Sequence, residues 1–250
     1  MQEKNLVRQE AGCRGQRACT MKDAGPILKW AGGKGRVVQQ YAPYLRDVPL
    51  KRYFEPFAGG AAVYFWLYAE RGPFPAFLSD ANEELIHCYS MVKSRSGELI
   101  DLLAQYQQQH GPEFYYEMRA SQPSEPLPRA ARFIYLNRTC FNGLYRVNSK
   151  GFFNVPMGRY KNPNVVQEKR LQWASQALQK VELRAQDFDK VARKAKAGDL
   201  VYFDPPYQPL NATSSFTSYT QEPFGPEQQW KLAQLFAELV SRGCHVFLSN

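Results

Sequence analysis

The run Leu200-Val201-Tyr202-Phe203 passes without a break into Asp204-Pro205-Pro206-Tyr207. Four consecutive apolar residues read as a short buried strand. Two successive prolines fix φ and remove two backbone donors, so the sheet ladder has to end at Asp204. A carboxylate, unladdered carbonyls and an aromatic ring then project from the strand tip, a set suited to holding a flat ring that bears an amine. The same tetrapeptide also describes a strand ending in a polyproline turn with Tyr207 as a surface cap. The rest of the chain separates the two readings.

Upstream, Tyr53-Phe54-Glu55 reads as a strand entering Pro56-Phe57-Ala58-Gly59-Gly60, with a helix over residues 61–70. A second strand, Ala76-Phe77-Leu78, ends at Ser79-Asp80, and Asn82 caps a helix whose first turn carries Glu83 and Glu84. Strand, glycine turn, helix, strand and acid in that order predict a doubly wound α/β sheet. Asp80 lies 21 positions beyond Gly59, the spacing at which a carboxylate accepts the hydroxyls of a ribose. The loop lacks the dinucleotide fingerprint, so a cofactor with a ribose and no pyrophosphate fits it better; a plain strand-to-helix turn remains the alternative. Lys29, Trp30 and Lys34 add two cations and an aromatic face beside Gly32-Gly33, followed by a helix from about Arg36 to Leu45.

Residues 1–21 are polar and aperiodic and read as a disordered extension. The α/β pattern occupies 22–82 and 169–250, with strands expected at 181–183, 200–203 and 244–248, helices at 166–180, 188–197 and from Pro226, and Gly243 closing the last helix. Between them, 83–168 reads as an inserted, mainly helical subdomain with a hairpin turn at Asn148-Ser149-Lys150-Gly151. At 250 residues and 44% hydrophobic content the chain suffices for one domain with such an insertion. It has no run of roughly 20 apolar residues and no apolar leader, which points to the cytoplasm. Five cysteines without a Cys-x-x-Cys pair, and only three histidines, support neither a metal site nor a disulfide framework. Cys88, Cys140 and Cys244 read as small buried residues.

The formal charge of +9 is concentrated. From Arg129 to Arg170 nine basic residues face one acidic residue, Glu168, whereas the other 208 residues carry 23 basic and 22 acidic side chains. With Phe141, Tyr145, Phe152, Phe153 and Tyr160 interleaved, this segment reads as a nucleic-acid contact surface.

Lys-Trp-Ala-Gly-Gly-Lys (29–34), Glu-Pro-Phe-Ala-Gly-Gly (55–60), Ser-Asp-Ala-Asn-Glu (79–83), Leu-Asn-Arg-Thr-Cys-Phe-Asn-Gly-Leu-Tyr-Arg (136–146), Phe-Asn-Val-Pro-Met-Gly-Arg-Tyr (153–160) and Asp-Pro-Pro-Tyr (204–207) resemble, in order, the DNA adenine methyltransferase (Dam) family. The resemblance implies an S-adenosylmethionine-dependent enzyme that methylates adenine N6 in double-stranded DNA, at GATC, after flipping the base out of the duplex. It implies a catalytic set of Asp204, Pro205, Pro206 and Tyr207, the first two accepting the amino hydrogens and Tyr207 stacking on the ring. Cofactor contacts would come from Trp30, Lys34, Gly59, Gly60, Asp80, Asp187, Phe188 and Asp204; Asp187 also reads as a simple helix N-cap. For DNA, Arg146 and Lys29 would read guanines, Phe141 would wedge beside the flipped base, and Asn142, Leu144 and Pro156 would touch flanking bases. Arg138, Arg159 and Tyr160 complete the surface, the two arginines on phosphates or in structural ion pairs. A monomer without a metal is expected, in a bacterial nucleoid or a phage-infected cell. The same site would also accept an RNA adenine or a cytosine N4. The family continues past 244–248 with a helix and a strand pair, so a catalytically impaired DNA-binding remnant is a further expectation.

Overall fold

A computed structural model of the chain describes residues 24–206 and 224–249. All five segments read as strands pair in one parallel sheet: β1 (Tyr53–Glu55), β2 (Ala76–Asp80), β3 (Val181–Ala185), β4 (Leu200–Phe203) and β5 (His245–Leu248), in the spatial order β3-β2-β1-β4-β5. β1 and β4 lie at the centre, in the register Tyr53↔Leu200 and Phe54↔Val201, and every residue of both is buried. Burial on both faces explains why their sequences are apolar runs.

The helices are α1 (Val38–Leu45), α2 (Ala62–Arg71), α3 (Glu83–Gln108), α4 (Pro112–Ala120), α5 (Pro126–Thr139), α6 (Glu168–Ala177), α7 (Phe188–Ala192) and α8 (Pro226–Ser241). Period-two alternation sorts the strand side chains between them. Tyr53, Leu78, Val181, Leu200 and Tyr202 enter the larger core with α1, α2, α3, α5 and α6, whereas Phe54, Val201 and Phe203 meet α7 and α8 on the other face. No helix among the described residues is long and apolar enough to cross a membrane. Cys88, Cys140 and Cys244 are buried free thiols.

The chain runs outward from β1 through β2 to β3 on one side, then returns to β4 and β5 on the other. The strand order reverses between β1 and β4, and in open α/β sheets the crevice outside the carboxyl ends of the strands at that point is where ligands bind. α7 stops at Ala192, short of the expected Ala197, because the following residues turn: the Lys196 N–H bonds the Asp199 carboxylate at 2.7 Å and the Gly198 N–H bonds the Gly243 carbonyl at 2.9 Å.

α3, α4, α5 and the hairpin stand between β2 and β3 in the chain. Asn82 caps α3 by accepting from the Leu85 N–H at 3.1 Å. Glu83 and Glu84 of its first turn bind Arg129 of α5 at 3.1 and 2.5 Å. The hairpin closes through Val147 opposite Phe153, with the Asn148 N–H on the Phe152 carbonyl at 2.9 Å.

Candidate functional site

Asp204 follows the last residue of β4 and stands at the crevice mouth. Its Oδ1 accepts from Lys34 Nζ at 2.6 Å and from Ser249 Oγ at 2.9 Å. Ser249, directly after β5, also accepts from the Tyr202 hydroxyl at 2.9 Å, so the strand neighbour of β4 supplies part of the carboxylate's frame. Lys34, expected among the cofactor contacts, is buried against Asp204. Among the described residues Oδ2 has no hydrogen-bond partner. Pro205 and Pro206 follow in coil; Tyr207 lies outside the described residues.

The glycine turn after β1 is held from several sides. The Gly59 N–H donates to Asp80 Oδ2 at 2.9 Å, the Asn82 N–H donates to Asp80 Oδ1 at 2.9 Å, and the Tyr89 hydroxyl donates to the Gly59 carbonyl at 2.8 Å. The 21-residue spacing is thus a direct bond between adjacent strand tips. Gly59 has φ +46°, and a Cβ there would come within 2.8 Å of the Trp30 ring, which lies on the turn. Side chains other than glycine are opposed both by that contact and by the left-handed backbone. Burial pushes the Asp80 carboxyl up, against the pull of the backbone N–H groups it accepts.

Beneath the turn, Glu55 is 2% exposed and accepts from the Tyr53 hydroxyl at 2.9 Å and the Tyr64 N–H at 3.2 Å. Burial pushes its carboxyl up to about 8; the Tyr53 bond opposes this, and the negative Asp204 and Asp80 add to it.

The β3 side of the crevice carries Gln186, Asp187 and Phe188. Asp187 is the N-cap of α7, its Oδ1 on the Phe188 N–H at 2.7 Å, and its Oδ2 pairs with Lys231 of α8 at 3.0 Å. The N-cap reading is therefore realised, and each oxygen keeps a second lone pair. Phe188 is buried, stacked on Phe57 with ring centroids 5.0 Å apart. Gln186 Nε2 is buried with no hydrogen-bond partner among the described residues.

The basic segment divides in two, which corrects its reading as one contact surface. Arg129 is spent on Glu83 and Glu84, and Arg132 on the carbonyls of Met118 and Arg119 at the end of α4, at 2.7 and 2.9 Å. These are internal staples. Tyr145 and Phe153 pack inward, Tyr145 stacking on Trp30 at 6.0 Å. The remainder points out: Phe141 is 49% exposed, Asn142, Phe152, Pro156 and Arg159 are exposed, and Leu144, Arg146 and Tyr160 are half-buried. The Phe141 N–H bonds the Pro156 carbonyl at 2.9 Å, tying two of these positions together. Arg146 Nε donates to Asn154 Oδ1 across the hairpin at 2.7 Å. Lys29 Nζ sits 3.9 Å from the centre of the Tyr160 ring. Arg138 donates to the Asn164 carbonyl at 3.2 Å, and among the described residues neither it nor Arg159 pairs with a carboxylate.

Sequence reasoning left out Glu55, Ser249, Asn154, Gln186 and Lys231. Glu55 and Asn154 lie inside motifs already singled out, whereas Ser249, Gln186 and Lys231 become neighbours of site residues only through strand pairing and helix docking.

Residues 30–250 match the model of the D12 class N6 adenine-specific DNA methyltransferase family. A Type II methyltransferase of Methanocaldococcus jannaschii is 42% identical over 241 residues, covering 90% of this chain and 83% of that protein. A Type II methyltransferase of Lactococcus lactis subsp. cremoris is 43% identical over 233 residues, covering 90% and 80%. The DNA adenine methylase of Escherichia coli strain K12 is 36% identical over 241 residues, covering 92% and 82%. The family match runs through the crevice motifs and the hairpin alike, and the chain belongs to the D12 class of N6 adenine-specific DNA methyltransferases.

Proposed function

We propose that this methyltransferase moves a methyl group from S-adenosylmethionine to adenine N6 in double-stranded DNA, at GATC, with the target base flipped out of the helix. The observation that carries the reading is the state of Asp204. Its Oδ1 is taken by Lys34 and Ser249, and its Oδ2 is without a partner among the described residues, at the mouth of the switch-point crevice.

The crevice fits a nucleoside cofactor. The buried, unpartnered Gln186 Nε2 offers a donor that a nitrogen heterocycle would satisfy. The turn at Gly59 and Gly60 has Trp30 packed on its bare face, which would set the indole beside the ligand. Trp30, Lys34, Gly59, Gly60, Asp80, Asp187, Phe188 and Asp204 would hold S-adenosylmethionine, with Asp80 toward the ribose and Asp187 and Phe188 toward the adenine. Bound there, it supplies a methyl group activated by a sulfonium.

An adenine stacked and paired in a duplex cannot present its exocyclic nitrogen to such a methyl, so it has to leave the stack. Once flipped, its two amino hydrogens are accepted by Asp204 Oδ2 and the Pro205 carbonyl. Both acceptors are fixed, one by Lys34 and Ser249 and the other by the proline pair, so the nitrogen lone pair is aimed without further reorganisation. Tyr207 would cover the ring. No protein nucleophile is required.

On the recognition side, Arg146 donates to one guanine and Lys29 to the first, while Phe141 fills the gap beside the extruded base. Asn142, Leu144 and Pro156 meet flanking bases, and Arg138, Arg159 and Tyr160 serve the backbone. Transfer of a tritiated methyl group to a GATC duplex, against a GATC-free control and an RNA of the same sequence, tests the reading. Label confined to the GATC duplex and recovered as N6-methyladenine is expected, and Asp204→Ala should abolish it. Recovery as N4-methylcytosine, label in the RNA or the control, or no label at all would overturn it.

A further inference from the structure

Asn137, near the end of α5, is 2% exposed, and none of the roles above uses it. Its Oδ1 accepts from the Lys29 N–H at 2.8 Å, and its Nδ2 donates to the Lys29 carbonyl at 2.7 Å. One amide side chain therefore holds both polar groups of a single residue, as a neighbouring strand would. The same Nδ2 donates to the Gly143 carbonyl at 3.2 Å. Gly143 closes the Phe141–Gly143 turn, which presents the exposed Phe141 and Asn142.

The joint is tight on its other side. Gly143 has φ +65°, and a Cβ there would lie 2.5 Å from Lys29 Cβ and Cδ. The Lys29 stem lies across a bare glycine and ends over the Tyr160 ring. Its peptide neighbour Trp30 rests on Gly59, and four residues beyond that, Lys34 grips Asp204. The segment from Lys29 to Lys34 thus runs from the recognition face to the reacting carboxylate. Among the described residues, Asn137 is the only side chain hydrogen-bonded to the backbone at its recognition end.

We propose that Asn137 is a positioning residue for sequence discrimination: it sets the Lys29 amine at a fixed height over the wedge turn, so that Lys29 reads its base pair only when Phe141 is seated beside the target. The inference rests on the proposed reading of Lys29 and Phe141 as DNA contacts. Its physical basis is that three backbone groups, the Gly143 carbonyl buried and the two of Lys29 half-buried, share one partner, so truncation takes that partner from all three and frees the segment.

The test is the affinity ratio between a GATC duplex and duplexes altered at one position, measured by fluorescence anisotropy with S-adenosylhomocysteine present, in wild type, Asn137→Ala and Gly143→Ala. Gly143→Ala drives a methyl group into Lys29 Cβ and Cδ from the opposite side while Asn137 itself is kept, which keeps the question answerable where Asn137→Ala does not fold. Either variant should lose about 10-fold or more of the discrimination at the first guanine, the scale of one base contact. It should keep the discrimination at the guanine assigned to Arg146 within about 2-fold, and S-adenosylhomocysteine affinity within about 3-fold. Equal loss at both positions, or intact discrimination at the first guanine in a folded variant, would overturn the role. A wild-type protein with no preference for GATC would instead overturn the underlying reading.

Discussion

Lys34 and Asp204, 170 positions apart in the chain, meet at 2.6 Å, and the lysine is only 6% exposed. A cation on the glycine-rich loop before α1 therefore holds the carboxylate at the end of β4. A buried pair of this kind is costly to break on one side, because the remaining charge is left uncompensated. The pair engages Oδ1, and among the described residues Oδ2 is left without a hydrogen-bond partner.

Asp204→Asn should lower kcat by about 100-fold or more while duplex affinity stays within a few-fold, because the loss falls on an interaction made with the reacting amine. Lys34→Met should also lower kcat, and the double variant should be no slower than Asp204→Asn alone, since both act on one acceptor. Single-turnover methylation rates measure this; strictly multiplicative losses would show that Lys34 acts elsewhere.

Arg146→Ala should reduce discrimination at one guanine by about 1 to 3 kcal/mol, the range of a bidentate base contact. Asn154→Ala should produce part of that loss, because Asn154 holds the guanidinium at 2.7 Å. Competition between GATC and singly substituted duplexes reads both. An Asn154 variant as relaxed as Arg146→Ala would mean that the hairpin itself had collapsed.

Glu55 predicts a pH dependence. Its carboxyl sits at about 8 in the fold against an ordinary 4.5, raised first by burial. Between those values the unfolded chain releases the proton and the folded chain retains it, so the group's contribution to stability falls as pH rises through that window and levels off above about 8. Glu55→Gln should flatten this fall and raise Tm relative to wild type at alkaline pH by on the order of 5 °C. Calorimetry across the window checks it; parallel curves for the two proteins would refute it.

Gly59→Ala should destabilise the fold by about 1 to 2 kcal/mol from the left-handed φ alone. It should also weaken cofactor binding, because the new methyl group meets Trp30 at 2.8 Å and pushes either the ring or the turn from its place. Titration calorimetry with S-adenosylhomocysteine should show the weakening, and unchanged affinity would remove the turn from the cofactor site.

Much of this architecture is written in short-range signals. The apolar runs 53–55 and 200–203 are buried on both faces, so their type and place follow from pattern alone, and the Asn82 cap and the 148–151 turn are equally local. The family resemblance rests on the same kind of signal, since its motifs at 55–60, 79–83 and 136–146 occupy strand tips and a helix end. The limits of α7 are not legible, because the turn that follows it is tied to Gly243, 45 positions beyond Gly198, next to β5.

What the sequence determined by itself was the order of elements and the positions of the groups that carry chemistry: Asp204 at a strand tip, Gly59 and Asp80 at successive tips, and the basic segment between β2 and β3. Tertiary structure alone decided which of those groups are available. Arg129 and Arg132 are used up inside the fold by glutamates and helix-end carbonyls, whereas Phe141 is exposed and the half-buried Arg146 pairs with no carboxylate among the described residues. Oδ1 of Asp204 is occupied by residues from two distant segments. The physical reason is that availability depends on partners far away in the chain, and a partner at a separation of 170 leaves no periodicity or spacing to read.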